Sequence, residues 1–373
     1  MIKKFDEVFV DKTRLGKKIP KEEYKKKGKY IIIDQGKDKI AGFTDNEDGI
    51  FTDVPTIIFG DHTRIIKYID KPFFLGADGV KVLKSKINNA NYKYLYYALK
   101  AAYIPNTGYN RHFKWLKKVS INYPSFEKQK RIVKLLDNLS EVKNKKNEEL
   151  KLCDTLIKAR FVEMFGDPII NNKKLTEVPM TKICQIIDGD RGKNYPRAKD
   201  FKTNGYCLFL NTKNVTTTGF DFHKCMFISK ERDELLHNGR LSLGDIVLTT
   251  RGTIGNLALY TEKVPYNHLR INSGMVILRM NHEKIIDKFF IEQFKMQLKK
   301  IKMKIASGSA QPQLPVSTMS KIPIVLPSIR KQEKYSDFVK QVDKSKVVNA
   351  SIMKYIISIR FYLYFKENKE GAR

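Results

Sequence analysis

The segment EKQKRIVKLLDNLSEVKNKKNEELKLCDTLIKARFVEMFGDP, residues 127–168, predicts one long amphipathic helix in the middle of the chain. Its apolar residues recur at the spacing of one helical face. They are Ile132, Leu135, Leu136, Leu139, Val142, Leu150, Cys153, Leu156, Ile157 and Phe161. The polar run KNKKNEE, residues 143–149, interrupts this stripe, and the Asp-Pro at the end is typical of a helix stop.

The apolar pattern of this segment returns at the C-terminus, which indicates an internal duplication. The stretch VSINYPSFEKQKRI from Val119 aligns with IPIVLPSIRKQEKY from Ile322, a shift of 203 residues that places Pro124 on Pro327 and Gln129 on Gln332. Under the same shift Leu135, Leu136 and Leu139 fall on Phe338, Val339 and Val342, and Cys153 and Leu156 fall on Ile356 and Ile359. The C-terminal segment is therefore expected to form a second long helix.

The segments that precede the two helices also correspond, although they differ in length. GKYIII at Gly28 matches GYCLFL at Gly205, a shift of 177 residues, and DGVKVLK around Gly79 matches SGMVILR around Gly274. Because the shift grows from 177 to 203, the second half carries 26 additional residues, which are expected in loops. Short runs rich in Val, Ile, Tyr, Phe and Thr, broken by Gly, Asn and Asp, predict strands and turns in both segments.

These patterns predict an α+β fold in which two α/β-mixed domains in tandem alternate with two long helices. The predicted segments are 1–125, 126–168, 169–328 and 329–373. The helices are expected to form an antiparallel, coiled-coil-like pair in a pseudo-twofold arrangement, joined by Ile132, Leu135, Leu136, Leu139, Leu156, Phe338, Val339, Val342, Ile356 and Ile359. At about 1.5 Å per residue the first helix would be roughly 58 Å long, enough to space two domains. The alternative is a coiled coil without a spacing role.

The charge of the chain favours a polyanionic partner. Of 373 residues, 71 are Lys or Arg and 40 are Asp or Glu, giving a formal net charge of +31. Nucleic acid is the first candidate, although ribosomal and membrane-surface proteins are also basic. There is no apolar run of 18 residues, and the start, MIKKFDEVFV, lacks the core of a signal peptide, so a cytoplasmic location is expected. The cysteines, which lack metal-ligand spacing, are interpreted as reduced structural thiols: Cys153, Cys184, Cys207 and Cys225.

Four features in a fixed order resemble the specificity subunits of type I restriction-modification systems. They are the FVEMFGDP that ends the central helix, the Pro and Lys-Gln that open each long helix, LSLGDIVLTTRGTIG at Leu241–Gly255, and SGSAQPQL at Ser307–Leu314. The resemblance covers essentially the whole chain. The first half departs from it, because GDHTR, 60–64, stands in place of the Thr-Arg-Gly loop and NTGYNRH, 106–112, in place of the Gly-Ser-Ala-Gln loop.

The resemblance implies a non-catalytic subunit that recognises double-stranded DNA. Residues 1–125 and 169–328 would be target recognition domains, each reading half of a bipartite asymmetric sequence, and 126–168 and 329–373 would be spacer helices that fix the gap. It also implies that the helices dock two methyltransferase subunits and that two restriction subunits can join. No cofactor would be bound by this chain, since the partners would use S-adenosylmethionine, ATP and Mg²⁺.

No motif of the sequence predicts a catalytic or metal site in this chain. The Gly-rich cofactor loop and the Asn/Asp-Pro-Pro-aromatic motif of an adenine methyltransferase are absent. GTIGN at Gly252 lacks the Lys-Ser/Thr of a phosphate loop, and the nuclease-like Glu-x-x-Lys at Glu127 lacks an upstream Asp partner. Two alternatives stay open: a stand-alone nuclease or methyltransferase, and a basic RNA-binding adaptor.

Candidate DNA contacts are residues with donor and acceptor groups on Gly-rich or basic loops, because Arg and Lys pair with guanine and Asn and Gln with adenine. In the second domain they are Arg191, Lys193, Asn194, Tyr195, Arg197, Thr250, Arg251, Arg270, Asn272, Ser307, Ser309 and Gln311. In the first domain they are Lys17, Lys18, Gln35, Lys37, Lys39, His62, Thr63, Arg64, Asn106, Tyr109, Arg111 and His112. The Lys-rich run 17–29 is interpreted as a phosphate contact or a solvated face.

Overall fold

The protein is described by a computed structural model that covers residues 1–76, 78–306 and 312–369, with backbone alone at 304, 306, 353–354 and 356–369. The chain divides into two compact units. Unit 1 comprises Met1–Glu148 and Asn349–Arg373, and unit 2 comprises Glu149–Val348. Each long helix therefore contributes to both units. The sequence predicted four consecutive segments, whereas this division gives two units that share the long helices. The boundaries of the four segments stay a prediction.

Unit 1 begins with short strands, and its regular elements follow one another in a mixed order. The strands are β1 (Ile2–Lys4), β2 (Phe9–Asp11), β3 (Tyr30–Ile33), β4 (Gly42–Thr44), β5 (Thr56–Gly60), β6 (Ile66–Ile69), β7 (Phe73–Leu75), β8 (Val80–Ser85) and β9 (Ser120–Asn122). The helices are α1 (Phe5–Val8), α2 (Tyr92–Ala101), α3 (Phe113–Leu116) and α4 (Phe126–Phe165), whose last part belongs to unit 2.

Unit 2 repeats this order with additions. Its strands are β10 (Glu177–Pro179), β11 (Cys184–Asp188), β12 (Cys207–Leu210), β13 (Val215–Thr216), β14 (Gly219–Phe220), β15 (Phe227–Ile228), β16 (Ile246–Thr249), β17 (Leu257–Leu259), β18 (Leu269–Ile271), β19 (Met275–Met280) and β20 (Pro323–Val325). Its helices are α5 (Lys230–Glu234), α6 (Asp287–Ala306), α7 (Val316–Met319) and α8 (Ile329–Lys369), which continues into unit 1.

The sheets of the two units have the same topology. A four-stranded sheet has the order β2-β8-β5-β6 in unit 1 and β11-β19-β16-β17 in unit 2. A three-stranded sheet has the order β4-β3-β7 in one unit and β15-β12-β18 in the other, with the second pair of strands parallel in both. The short pairs β1-β9 and β10-β20 also correspond. The predicted fold class, two mixed α+β domains in tandem with long helices, is therefore confirmed.

One hydrogen bond confirms the predicted shift of 203 residues at the start of each long helix. Gln129 donates from Nε2 to the carbonyl oxygen of Pro124 at 2.9 Å, and Gln332 donates from Nε2 to that of Pro327 at 2.9 Å. Both glutamines are buried. A buried amide needs a fixed partner, so the same side chain closes the same turn in each half.

The sequence analysis expected the additional residues of the second half in loops. The structure shows that they are not confined to loops. Some form the hairpin β13-β14, which has no counterpart among the described residues of unit 1. Others lengthen the helix after the four-stranded sheet, because α6 has 20 residues where α2 has 10. The insertions thus extend regular structure while they leave the shared sheets intact.

The core of unit 1 lies between its four-stranded sheet and α2. Leu95 and Leu99 of α2 belong to one buried cluster with Phe59 and Leu83 of the sheet. Ile132 of α4, a predicted helix-pairing residue, packs against this cluster. Asn91 caps α2 by accepting a hydrogen bond from the Tyr94 backbone at 3.1 Å, which satisfies a free N–H of the first turn.

Aromatic rings join α4 to α8 and α6 in unit 2. The ring of Phe161 stacks on that of Phe289 at 5.4 Å, and the edge of Tyr335 meets Phe161 at 5.4 Å and Phe165 at 5.6 Å. The Tyr335 hydroxyl donates to the carbonyl oxygen of Ile157 at 3.3 Å. Burial raises the pKa of Tyr335, so this phenol stays a neutral donor. Stacked and edge-on rings add to the free energy of apolar burial.

The predicted helix-pairing residues have different environments. Val339 and Val342 are buried in the unit 2 core, Phe338 packs against it, and Leu136 is buried while Leu139 is half-buried. The assignment of Leu156 is wrong, because its side chain is 50% exposed and the buried face is formed by Ile157, Phe161 and Phe165. Leu135 is also exposed. The side chains of Ile356 and Ile359 lie outside the described residues.

No helix in the described part of the chain is long and apolar enough to cross a membrane. The long helices α4 and α8 have 40 and 41 residues, but charged residues recur along both.

We expect Phe161→Ala to lower the free energy of unfolding by about 3–5 kcal/mol, because it leaves a cavity among rings that hold α4 to α8. Urea denaturation followed by circular dichroism measures the change. Leu156→Ala on the same helix is the matched control and should change stability by less than about 0.5 kcal/mol. Equal losses in the two variants would contradict the assignment of the buried face.

Candidate nucleic-acid interface

In unit 1, Gln35 joins three loops at one end of the sheets. Its Nε2 donates to the carbonyl oxygen of Asp78 at 3.0 Å, and its Oε1 accepts from the backbone N–H of His62 at 3.1 Å. The Gln35 carbonyl accepts from the Thr63 hydroxyl at 2.6 Å. The loops after β3, after β5 and before β8 are therefore held together, which places Gln35, His62 and Thr63 in one cluster.

The loop 106–112 joins this cluster through stacked rings. The imidazole of His62 lies on the phenol of Tyr109, with ring centres 4.8 Å apart and planes 12° apart. Tyr109 is 88% exposed, so its outer face and hydroxyl are free to meet a ligand. Asn106 lies on this loop and accepts from the Gly108 backbone at 3.2 Å, and Arg111 is exposed beside it.

The basic residues of unit 1 surround the cluster. Lys18 forms an ion pair with Asp78 at 2.5 Å, and Lys17 forms one with Asp48 at 3.4 Å. Exposed pairs of this kind contribute little stability, so a phosphate could replace the carboxylate at small cost. Lys37 and Lys39 are exposed on the loop between β3 and β4. The side chain of Arg64 is half-buried, and its Nη1 donates to the carbonyl oxygen of Ile104 at 3.1 Å.

The assignment of His112 as a DNA contact is wrong. Its side chain is 0% exposed, and Nδ1 lies 3.0 Å from the carbonyl oxygen of Asp61. The Asp61 carboxylate accepts from the backbone N–H of Phe113 at 2.7 Å. His112 therefore connects the loop after β5 to the start of α3, and its imidazole is enclosed by the structure that it holds.

In unit 2, the turn that carries Arg251 is fixed by backbone hydrogen bonds. The N–H groups of Thr250 and Arg251 both donate to the carbonyl oxygen of Gly274, at 2.8 and 3.2 Å. Gly252 follows with φ +69°, a left-handed conformation that favours glycine. The exposed guanidinium of Arg251 donates from Nε to Oε1 of Gln313 at 3.1 Å. One edge of the guanidinium is thus oriented while Nη1 and Nη2 remain available for a ligand.

Further candidates of unit 2 meet at the turn 272–274. Arg191 pairs with Asp188 at 2.9 Å and lies 3.5 Å from the Ser273 carbonyl oxygen, while the Tyr195 hydroxyl accepts from the Ser273 N–H at 3.4 Å. Asn272 accepts from the Gly274 N–H at 2.9 Å. The structure therefore brings together Arg191, Tyr195, Arg251 and Asn272. Lys193 and Arg197 are exposed, and Asn194 donates to the Leu235 carbonyl oxygen at 3.1 Å.

The assignment of Arg270 as a DNA contact is also wrong, because this side chain is 2% exposed. Its Nε donates to the Asp233 carboxylate at 2.7 Å, its Nη2 to the Asp233 carbonyl oxygen at 2.9 Å, and its Nη1 to the carbonyl oxygen of Asn238 at 2.5 Å. Arg240 also pairs with Asp233. A charge buried this deeply is tolerated because it is paired with Asp233 and each of its three nitrogens donates a hydrogen bond.

The four remaining candidates of unit 2 have different outcomes. Thr250 is 6% exposed, so its side chain cannot reach a groove, and its contribution is the backbone contact to Gly274. Ser307, Ser309 and Gln311 lie outside the described residues.

The sequence analysis missed Asp190 and Gln313. Asp190 is buried and accepts from the N–H groups of Gly192 at 3.0 Å and His237 at 2.8 Å, which ties the Arg191 loop to the strand-connecting segment 237–240. Burial alone would raise the pKa of Asp190, but these backbone hydrogen bonds lower it below its ordinary value. In the sequence, Asp-Arg-Gly at 190–192 is compatible with such a turn and could have indicated Asp190. Nothing in the sequence indicates the contact of Gln313 with Arg251.

The reactive groups of the described residues do not assemble into a metal site. No group of three or more His, Cys, Asp or Glu side chains in 1–76, 78–306 and 312–369 has the geometry to hold a metal ion. All four cysteines are free, as the sequence predicted. Burial raises the pKa of Cys184 and of Cys207 to about 12, so both remain protonated and unreactive at neutral pH.

We expect Arg270→Met to destabilise unit 2 by about 3 kcal/mol, because it leaves the Asp233 carboxylate buried without its main partner. Thermal unfolding of the variant checks this change. Arg251→Ala, which removes an exposed guanidinium, should unfold within about 0.5 kcal/mol of the parent chain. A stable Arg270→Met variant that bound ligands differently would restore Arg270 as a contact residue.

Comparison with known proteins identifies the type of domain. A family model described as "Type I restriction modification DNA specificity domain" matches residues 1–152 and 172–354. Among solved structures, the S subunit of a type I restriction-modification system from M. genitalium has a TM-score of 0.56 at 20% identity, over 97% of this chain and 94% of that one. A chain from a structure on complex assembly and conformational transition of the type I R-M system has a TM-score of 0.55 at 14% identity, over 99% and 97%. No curated protein sequence matches this chain.

Proposed function

This chain belongs to the type I restriction modification DNA specificity family, and from that premise we propose that each of its two units reads one half of a bipartite, asymmetric DNA target. The observation that supports this proposal is the presence of one loop cluster in each unit, at the same place in the shared topology. The clusters differ in chemistry: unit 1 presents Gln35, His62 and Tyr109, and unit 2 presents Arg191 and Arg251. Different donor and acceptor patterns select different bases.

Arg251 is the strongest candidate for a base contact. Gln313 orients its guanidinium at Nε, which leaves Nη1 and Nη2 for the paired acceptors of guanine in the major groove. Lys17, Lys18, Lys193 and Arg197 are exposed and suit phosphate contacts, which position the protein and carry no sequence information.

The long helices are proposed to act as the spacer between the two half-sites. α4 is continuous over 40 residues, and its length is about 60 Å. The polar run 143–149 lies inside this helix and does not break it. We further propose that α4 and α8 form the pseudo-twofold surface on which two methyltransferase subunits dock, and that restriction subunits can join this assembly.

Catalysis is assigned to the partner subunits in this proposal. They would bind S-adenosylmethionine, ATP and Mg²⁺ and methylate adenines, while this chain selects the sequence. Incubation of the purified chain with DNA, S-adenosylmethionine and Mg²⁺ tests the assignment, and turnover without a partner would favour a stand-alone enzyme. Competition between duplex DNA and structured RNA tests the adaptor alternative.

We expect Arg251→Ala to lower the discrimination against wrong bases in one half-site by about 1–3 kcal/mol at the contacted base pair. The other half-site should be unchanged, because the side chain belongs to unit 2. Mapping of methylated adenines in a host that carries the variant chain measures both half-sites. Lys193→Ala is the control for loss of a nearby charge and should weaken all sites equally. Relaxation of both half-sites by Arg251→Ala would contradict independent reading.

An insertion of one heptad at 143–149, with a matching heptad at 346–352 of α8, should lengthen the gap and preserve both half-sites. The insertion adds roughly 10 Å of helix, which corresponds to about three base-pair steps. The same methylation mapping reports the gap. New half-sites with an unchanged gap would show that the helices do not act as a spacer.

A further inference from the structure

An open groove of about 670 Å³ lies within unit 1, between β6, α2 and the loops after β3 and β5. Its lining includes six cationic side chains and one carboxylate, Asp137. The cations are Lys37, Lys39, Arg64, Lys67, Lys93 and Lys100. Thr63, Tyr68, Tyr96 and Tyr97 form the rest of its polar wall. This composition suits an anionic ligand.

The α2 side of the groove is rigidly built. Lys93 pairs with Asp137 of α4 at 2.7 Å, and the Tyr97 hydroxyl donates to the other oxygen of that carboxylate at 2.7 Å. Asp137 is thus occupied by two partners and does not oppose an incoming anion. One turn further along α2, the Lys100 ammonium donates to the Tyr96 hydroxyl at 2.9 Å and lies 5.1 Å from the centre of its ring. Lys100 is exposed and keeps two donors for a ligand.

On the opposite rim of the groove, the buried ammonium group of Lys67 fixes a loop. Lys67 is 6% exposed and donates to the carbonyl oxygens of Asp34 at 2.7 Å and Asp38 at 2.6 Å. These bonds fix the loop that carries Lys37 and Lys39 beside the groove. Thr63 lines the groove and its hydroxyl donates to the Gln35 carbonyl oxygen, so the groove adjoins the cluster of Gln35, His62 and Thr63.

The corresponding place in unit 2 has a different lining. The α2 positions shift by 195 residues onto α6, so that Tyr96 and Tyr97 correspond to Ile291 and Glu292. Arg64 corresponds to Gly255, where an added Cβ would lie 2.1 Å from Leu298 Cδ1. Leu298 of α6 therefore packs against this turn in unit 2. Since the two units share one scaffold, the tyrosine wall of the groove is not a requirement of the fold.

We propose that this groove binds the sugar-phosphate backbone of duplex DNA on the flank of the half-site read by unit 1. The proposal rests on the function proposed above. Lys ammonium groups contact phosphate as point charges and do not discriminate bases, and tyrosine hydroxyls donate to phosphate oxygens. The groove would thus anchor unit 1 beside its half-site without sequence preference.

Salt dependence of DNA binding by the full-length chain tests the proposal. Fluorescence anisotropy with a labelled duplex of mixed sequence gives the slope of log K against log salt concentration. Each phosphate contact contributes about 0.9 to that slope, so the double variant Lys39→Ala with Lys100→Ala should reduce its magnitude by about 1.8. The double variant Lys39→Arg with Lys100→Arg should retain the parent slope.

The matched control removes the same charge from unit 2. Lys230 and Lys295 are exposed and pair with Glu234 and Glu292, and Lys295 corresponds to Lys100 under the shift of 195 residues. Lys230→Ala with Lys295→Ala should leave the slope unchanged. Equal reductions in the two alanine pairs, or no reduction in the first, would overturn the groove as a DNA contact. Failure of the parent chain to bind any duplex would instead refute the proposed function, and this inference with it.

Discussion

The aromatic contact between α4, α6 and α8 in unit 2 is the interaction on which the remaining structure depends. A long helix with a largely charged surface gains little stability in isolation, and most helical stability comes from packing of an apolar face. Phe161, Phe165, Phe289 and Tyr335 supply that face at the end of α4. At its start, Ile132 packs against the core of unit 1. One continuous helix is thus anchored in both cores, which the proposed spacer role requires.

Duplication of a scaffold followed by divergence of its loops explains the chemistry of the two units. Sheet order, strand pairing and the glutamine at the start of each long helix are shared. The residues at the ends of the strands are not, so Gln35 joins three loops in unit 1 whereas the Gly274 carbonyl holds the Arg251 turn in unit 2. A common frame with different side chains suits a family whose function is sequence recognition.

The sequence predicted the features that depend on periodicity. It did not predict the burial of side chains whose contacts lie far away in the sequence. The register of the repeat and the fold class could be predicted, because apolar spacing and turn residues carry them. Leu156 and Ile157 are adjacent in a broad stripe, and only packing against Tyr335 shows which one is buried. Arg270 and His112 have side chains typical of DNA contacts, but Asp233 and Asp61, far away in the sequence, hold them inside. Pattern alone cannot distinguish a buried cation from an exposed one.

Independent reading by two separate units is the central claim, and hydroxyl-radical footprinting tests it most directly. The chain, assembled with the proposed methyltransferase partners, would be bound to a duplex that carries the target mapped from host methylation. Two protected stretches with an accessible gap between them are the predicted result. A single continuous protected stretch, or protection of one half-site alone, would contradict separate recognition of two half-sites by the two units.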